Sequence, residues 1–263
     1  MTACQQTTSK PLQRLGGNPL STLNEGHIEV FSKFFRENPQ FFLQIDVFRQ
    51  WLAKERYSHA TASNAMQTIG DDPEDAVHNC ISHNMQSLSE SVSLERPVMP
   101  IRALTAIEKI WRNPHELKVL SVGPRSEMEL FLLRTHGFKW ENIFGLDLLG
   151  YSDKVDIGDM HAMPYADHSF DVFLYGWVLG YSKSPETMVN ELLRCAKPGA
   201  IVAITNDYST PETVGSHFAN EQTHIQKSQQ ILDLFGDRVK SVYFRQDPDL
   251  KTMWASVAVF ELK

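Results

Sequence analysis

The chain has 263 residues, 42% of them apolar and 22% charged, enough to bury a core without disulfide or metal support. Its net charge of −7, with no cluster of Lys and Arg, argues against a nucleic-acid partner, because phosphate contacts need concentrated cations. The three cysteines (Cys4, Cys80, Cys195) are dispersed, no histidine spacing suits a metal, the N-terminus lacks a signal peptide's apolar centre and no apolar run reaches spanning length. A soluble, cytoplasmic protein with no bound metal and no membrane contact is expected.

Residues 1–22 are polar and turn-rich and read as a loosely ordered N-terminus. Residues 23–113 read as a helical cap or lid. Within it, Phe41, Ile45, Phe48 and Leu52 recur at helical spacing, a stripe whose ordinary meaning is core packing. A second helix is expected from Asp72 as N-cap and Pro73 at its first position, with Val77, Ile81, Met85 and Leu88 along one face.

From residue 114 to 263 short apolar runs alternate with helical stretches: KVLSV, SEMELFLLRTHGF, NIFGLDLL, FDVFLYG, PETMVNELLRCAKPG and AIVAIT. That alternation predicts an α/β domain with a mostly parallel sheet and helices on both faces. Two strand-like runs without an intervening helix, KSVYFRQ and WASVAVFELK, predict an antiparallel pair at the end.

The turn after VLSV is the first candidate site. Gly123-Pro124-Arg125 leads into Ser126 and Glu129, the S-x-x-E spacing of a capping box, so a helix should begin near Glu127. Gly123, lacking a Cβ, lets a ligand approach the backbone closely. A pyrophosphate-binding turn needs a second glycine for that approach, so this turn suits a nucleoside without phosphates better than a dinucleotide. Asp147 ends the next expected strand, where a carboxylate can accept hydrogen bonds from both ribose hydroxyls or simply cap the strand end.

The stretch GDMHAMPYADHSFD, residues 158–171, continues through VLGYSKSPETMVNELLRCAKPGA. It resembles the class I S-adenosylmethionine-dependent methyltransferases, in the branch whose pattern begins GDxxxLPfxDxSFD. The matching positions are Gly158, Asp159, Pro164, Asp167, Ser169, Phe170, Asp171, Val178, Leu179, Pro185, Glu191, Arg194, Lys197, Pro198 and Gly199. The resemblance covers roughly residues 117–205 and implies a Rossmann-like seven-stranded sheet, mostly parallel with an antiparallel C-terminal strand.

It further implies S-adenosyl-L-methionine as cofactor, held by Gly123, Pro124, Arg125, Asp147, Leu148, Asp159, Met160, Tyr175 and Gly176. In that arrangement Asp159 accepts from the adenine amino group and the Met160 N–H donates to the ring. Tyr175 and Gly176, at the end of their strand, face the crevice. Ser121 stands where the family usually has an acid, and Arg125 and Glu127 stand where it usually has glycines. Arg125 can then pair with the methionine carboxylate, although a solvated Arg on a turn is as good a reading. Tyr181 replaces a frequent His.

The implied activity is in-line methyl transfer to a small-molecule acceptor. The alternative is a methyltransferase fold kept as a non-catalytic partner or scaffold. Tyr208 and His217, after the AIVAIT strand, are the candidate catalytic bases, ahead of His161, His168, Tyr181 and Asp207. Phe34, Phe35, Trp51, Tyr57 and Trp177 could line an apolar acceptor site or pack in the core. The acceptor, the methylated atom and a homodimer all stay open.

Overall fold

A computed structural model describes residues 23–69, 81–82, 84–86, 98–207, 225–249 and 255–263. Asp72 and most of its expected helix, together with Tyr208 and His217, lie outside the described residues; residues 81–82 and 84–86 are helical.

The chain divides into two compact units, one ending at Phe41 and one running from Phe42 to Lys263. In the first, helix α1 (Glu25–Glu37) is capped by Asn24, whose side chain accepts from the His27 N–H while the His27 ring accepts from the Asn24 N–H. Phe34 packs on Phe35 and Phe41, and α1 buries none of its residues.

In the second unit helix α2 spans Asp46–Ala62. The expected stripe holds in its second half only: Leu52 packs against the cluster of Ala53, Met128, Phe131 and Leu149 and Phe48 is half-buried, whereas Phe41 and Ile45 are exposed and Arg49, Ala53 and Ala60 are the fully buried residues. The reason is a 3-10 turn over Pro39–Gln44, which makes Ile45 the cap of α2 and breaks the register that one continuous helix would have kept. Arg49 is tolerated inside because it donates to the Leu43 carbonyl and pairs with Asp46.

The remaining elements are β1 (Gln67–Thr68), α3 (Val98–Thr105), α4 (Glu108–Trp111), β2 (Val119–Val122), α5 (Glu127–Thr135), β3 (Ile143–Asp147), β4 (Leu149–Gly150) and β5 (Val155–Ile157). They continue with β6 (Phe170–Gly176), α6 (Pro185–Cys195), β7 (Ala196–Asp207), α7 (Ser228–Asp233), β8 (Val239–Gln246) and β9 (Ala255–Leu262). Seven strands form one sheet in the order β5-β3-β2-β6-β7-β9-β8, parallel except where β9 pairs antiparallel with β7 and β8. This is the Rossmann-like sheet that the sequence implies.

Alternation along the strands builds a core on each face. Leu120, Val122, Phe173 and Tyr175 join one cluster with Met188 and Leu192 of α6. Val119, Val172 and Leu174 join the other with Ile101 and Leu104 of α3 and Leu130 and Leu133 of α5. Such double coverage explains why these strands read as unbroken apolar runs. Helix α6 starts as expected, with Ser184 accepting from the Thr187 N–H and Pro185 in the first turn. Lys197, Pro198 and Gly199 already belong to β7, whose register against β6 shifts between Phe170 and Val172 to admit them.

Candidate functional site

The strand order reverses between β2 and β6: the chain runs outward from β2 through β3 to β5, then returns to β6 on the other side. A crevice opens at such a switch point, beyond the carboxyl ends of the strands. There the structure holds an open cleft of about 710 Å³. Its walls come from the turns after β2 (Val122, Gly123), β3 (Asp147, Leu148), β5 (Gly158, Asp159, Met160, His161) and β6 (Val178, Tyr181, Lys183), and from Asn84 and Leu146.

Gly123 is required at its position. Its φ is +68°, and a Cβ there would lie 2.1 Å from Val178 Cγ1. The turns after β2 and β6 thus touch across the switch point, with no room for a side chain between them. Arg125 also has a positive φ, +54°, at a position where the related family favours glycine. The strained backbone aims its N–H at Asp147 Oδ2, 2.9 Å away, and its Nε donates to Asn84 Oδ1 at 3.0 Å.

Where the N–H groups of this turn go decides which ligand it suits. The Gly123 N–H donates to the Leu146 carbonyl (2.8 Å), Pro124 has none, the Arg125 N–H is held by Asp147 and the Ser126 N–H turns back to the Pro124 carbonyl. The Glu127 N–H meets the Tyr151 hydroxyl, and the Met128 N–H meets Ser126 Oγ. A pyrophosphate cradle needs these donors aimed at the ligand. Here they are consumed within the protein, so the turn is no phosphate site. Ser126 caps α5, whose first residue is Glu127; Glu129 turns away to the buried Ser121 hydroxyl.

Two carboxylates define the polar side of the cleft. Asp147 is buried, 5% exposed, and burial pushes its pKa from 3.8 up to about 6 against the opposing pull of backbone N–H donors from Arg125, Leu149 and Leu148. Asp159 is held below the usual carboxylate range, chiefly by a side-chain hydrogen bond from His161. Its Oδ1 accepts from both the His161 N–H (2.8 Å) and the His161 ring Nδ1 (2.6 Å). Gly158 must also be small, since a Cβ there would meet Leu146 Cδ1 at 2.7 Å.

Of the expected cofactor residues, the structure gathers Gly123, Asp147, Leu148, Asp159 and Met160 on the cleft wall. Pro124 and Arg125 form the turn behind it. Tyr175 lies elsewhere: its side chain points into the core and is fully buried, and its hydroxyl finds no partner among the described residues. Gly176 ends β6 between Tyr175 and Trp177. Trp177 lines a different groove, with Met99, Arg102 and Phe244. Asn84 and Lys183 carry no sequence signal for this site, because only the fold brings them to it.

Much of the recognised motif builds the wall without facing a ligand. Arg194 donates to Glu191, to Asp167 and to the carbonyls of Met163 and Tyr165, while Glu191 accepts from the Met163 N–H. Asp171 accepts from the Lys118 N–H and from Lys197. The Glu191 and Arg194 contacts pin Met163, Tyr165 and Asp167, on the loop that follows Asp159, to α6.

Residues 122–204 match the methyltransferase domain family. Over 169 residues the chain is 26% identical to malonyl-[acyl-carrier protein] O-methyltransferase 1 of Coxiella burnetii, an alignment covering 62% of this chain and 58% of that relative's length. Among solved structures, it resembles the 1,6-didemethyltoxoflavin-N1-methyltransferase of Burkholderia thailandensis, with a TM-score of 0.50 and 12% identity over 75% of this chain and 95% of that one. A methyltransferase from Aquifex aeolicus superposes with a TM-score of 0.40 and 16% identity, over 62% of this chain and 97% of the other. Residues 122–204 thus match a methyltransferase domain, within a chain whose sheet order and switch-point cleft are those of a Rossmann-like fold.

Proposed function

We propose that the protein transfers a methyl group from S-adenosyl-L-methionine to a small-molecule acceptor, in a reduced compartment such as the cytoplasm. The observation carrying this reading is a cleft at the sheet's switch point with two carboxylates on its wall and a turn whose N–H groups leave nothing for a phosphate. The residues fit the cofactor: Asp147 would accept from the ribose hydroxyls and Asp159 from the adenine amino group. The Met160 N–H would donate to the adenine ring, and Gly123, lacking a Cβ, would let the cofactor approach the strand end closely. Arg125 would answer the methionine carboxylate, at the cost of its contact with Asn84.

When bound, the cofactor supplies an activated sulfonium methyl for an in-line displacement. The chain's own contribution is then mainly alignment, an effect worth ~7–11 kcal/mol when two reactants are held in register. Tyr208 and His217 stay the proposed bases for an oxygen acceptor, and a base at that position would add ~10²–10⁴-fold. A small acceptor suits the acidic chain better than a nucleic acid does. Incubation with methyl-labelled cofactor and a metabolite extract tests the reading. Label should enter the low-molecular-weight fraction; label confined to macromolecules would contradict the acceptor class.

A further inference from the structure

Asp159, His161 and Ser182 form a hydrogen-bonded chain beside the cleft: Asp159 Oδ1 to His161 Nδ1 at 2.6 Å, and His161 Nε2 to Ser182 Oγ at 2.8 Å. The order of groups is that of a nucleophilic triad, but Ser182 is fully buried and cannot meet a substrate. Nor does His161 suit the role of base for an acceptor, since both ring nitrogens are engaged and its side chain is 10% exposed. A single neutral tautomer, with the proton on Nδ1 and Nε2 accepting from the Ser182 hydroxyl, satisfies both contacts. Asp159 Oδ1 is thereby used twice by one residue, while Oδ2 accepts no hydrogen bond from the described residues; the Lys183 ammonium on the same cleft wall acts on this carboxylate through its charge alone.

We propose that His161, anchored by the buried Ser182, is a positioning residue that turns Asp159 Oδ2 toward the cofactor's base and so sets selectivity for a 6-amino purine. This rests on the cofactor reading above. A carboxylate with both oxygens free to rotate would accept an amino group in some rotamers only; one whose Oδ1 is clamped by a backbone N–H and an imidazole presents Oδ2 in a fixed direction. A 6-oxo purine places an acceptor against that oxygen, and such a mismatch is rejected strongly when the site cannot adapt.

The test compares calorimetric affinities for S-adenosylhomocysteine and S-inosylhomocysteine, which differ at the 6-position. The wild-type protein should favour the amino compound by about 100-fold. His161→Ala should cut that ratio about tenfold, chiefly by weakening the amino compound, and His161→Asn, whose amide can reach Asp159 in place of Nδ1, should restore part of it. Ser182→Ala, a one-atom deletion at a buried position, should lower the ratio several-fold and serves if His161→Ala does not fold. A ratio unchanged in folded variants that still bind S-adenosylhomocysteine overturns the proposal alone. Failure of the wild-type protein to bind S-adenosylhomocysteine overturns the cofactor reading and the proposal together.

Discussion

Asp147 carries the sharpest chemical consequence at the scale of one residue. Burial holds its pKa at about 6, against 3.8 for a free carboxyl, so the group is ionised only above about pH 6. In the proposed complex a protonated carboxyl would offer fewer acceptor sites to the ribose hydroxyls. Cofactor affinity should therefore fall by up to about tenfold per pH unit below pH ~6, while Asp147→Asn should bind weakly with a flat profile. Titrations between about pH 5 and 8 check this. The sign is opposite for folding. The unfolded chain loses this proton near 3.8 and the folded one near 6, so the ligand-free protein should lose stability as pH rises through that window.

Gly123 makes a second prediction at the same scale. Gly123→Ala adds a Cβ 2.1 Å from Val178 at a φ of +68°, so a backbone or side-chain shift is unavoidable. Thermal unfolding should show a loss of about 2–4 kcal/mol. Gly123 and Asp147 were legible because each marks the end of an apolar run, and Asp159 through the resemblance carried by residues 158–171; all three lie on the cleft wall. Tyr175 was not legible. Strand alternation sends it to the core face, and only the register of β6 against β2 and β7 shows which face that is.

Among elements, the tie between α2 and α5 matters most. Arg56 of α2 forms a two-pronged pair with Glu127, at 2.5 and 2.9 Å, and the Glu127 side chain is wholly buried at the first position of α5. A carboxylate there also favours the helix N-terminus. Arg56→Ala would strand a buried charge, but Arg56 itself is half-exposed and solvent softens the loss. We expect about 1–3 kcal/mol of destabilisation, and a double-mutant cycle with Glu127→Gln should recover much of it.

The sequence identified Glu127 only as a departure from a family pattern. Its partner lies in a helix far along the chain, and nothing in either segment announces the pairing. Helix α5, by contrast, was legible to its first residue, because Ser126 caps it and an apolar run follows. The opening helical region was less so: the 3-10 turn over Pro39–Gln44 is a local choice that leaves Phe41 and Ile45 exposed, while Leu52 of the same stripe packs on the core.

At the scale of the whole molecule, the mostly parallel sheet was legible in short apolar runs alternating with helices, and the antiparallel end in two strands without a helix between them; the strand order itself is seen only in the fold. Such a sheet places its ligand at the switch point, which is why three separated sequence signals converge on one cleft. The N–H groups of the turn after β2 are spent within the protein, which in the proposed function disfavours a phosphate-bearing ligand there.

Calorimetric titration of the purified protein with S-adenosyl-L-methionine, run beside NAD, tests this account most directly. Saturable binding of S-adenosyl-L-methionine and none of NAD is the predicted result, with Asp147→Ala abolishing the first. Binding of NAD would contradict the reading of the turn after β2. Binding of neither would leave the fold without its ligand and favour a scaffold role.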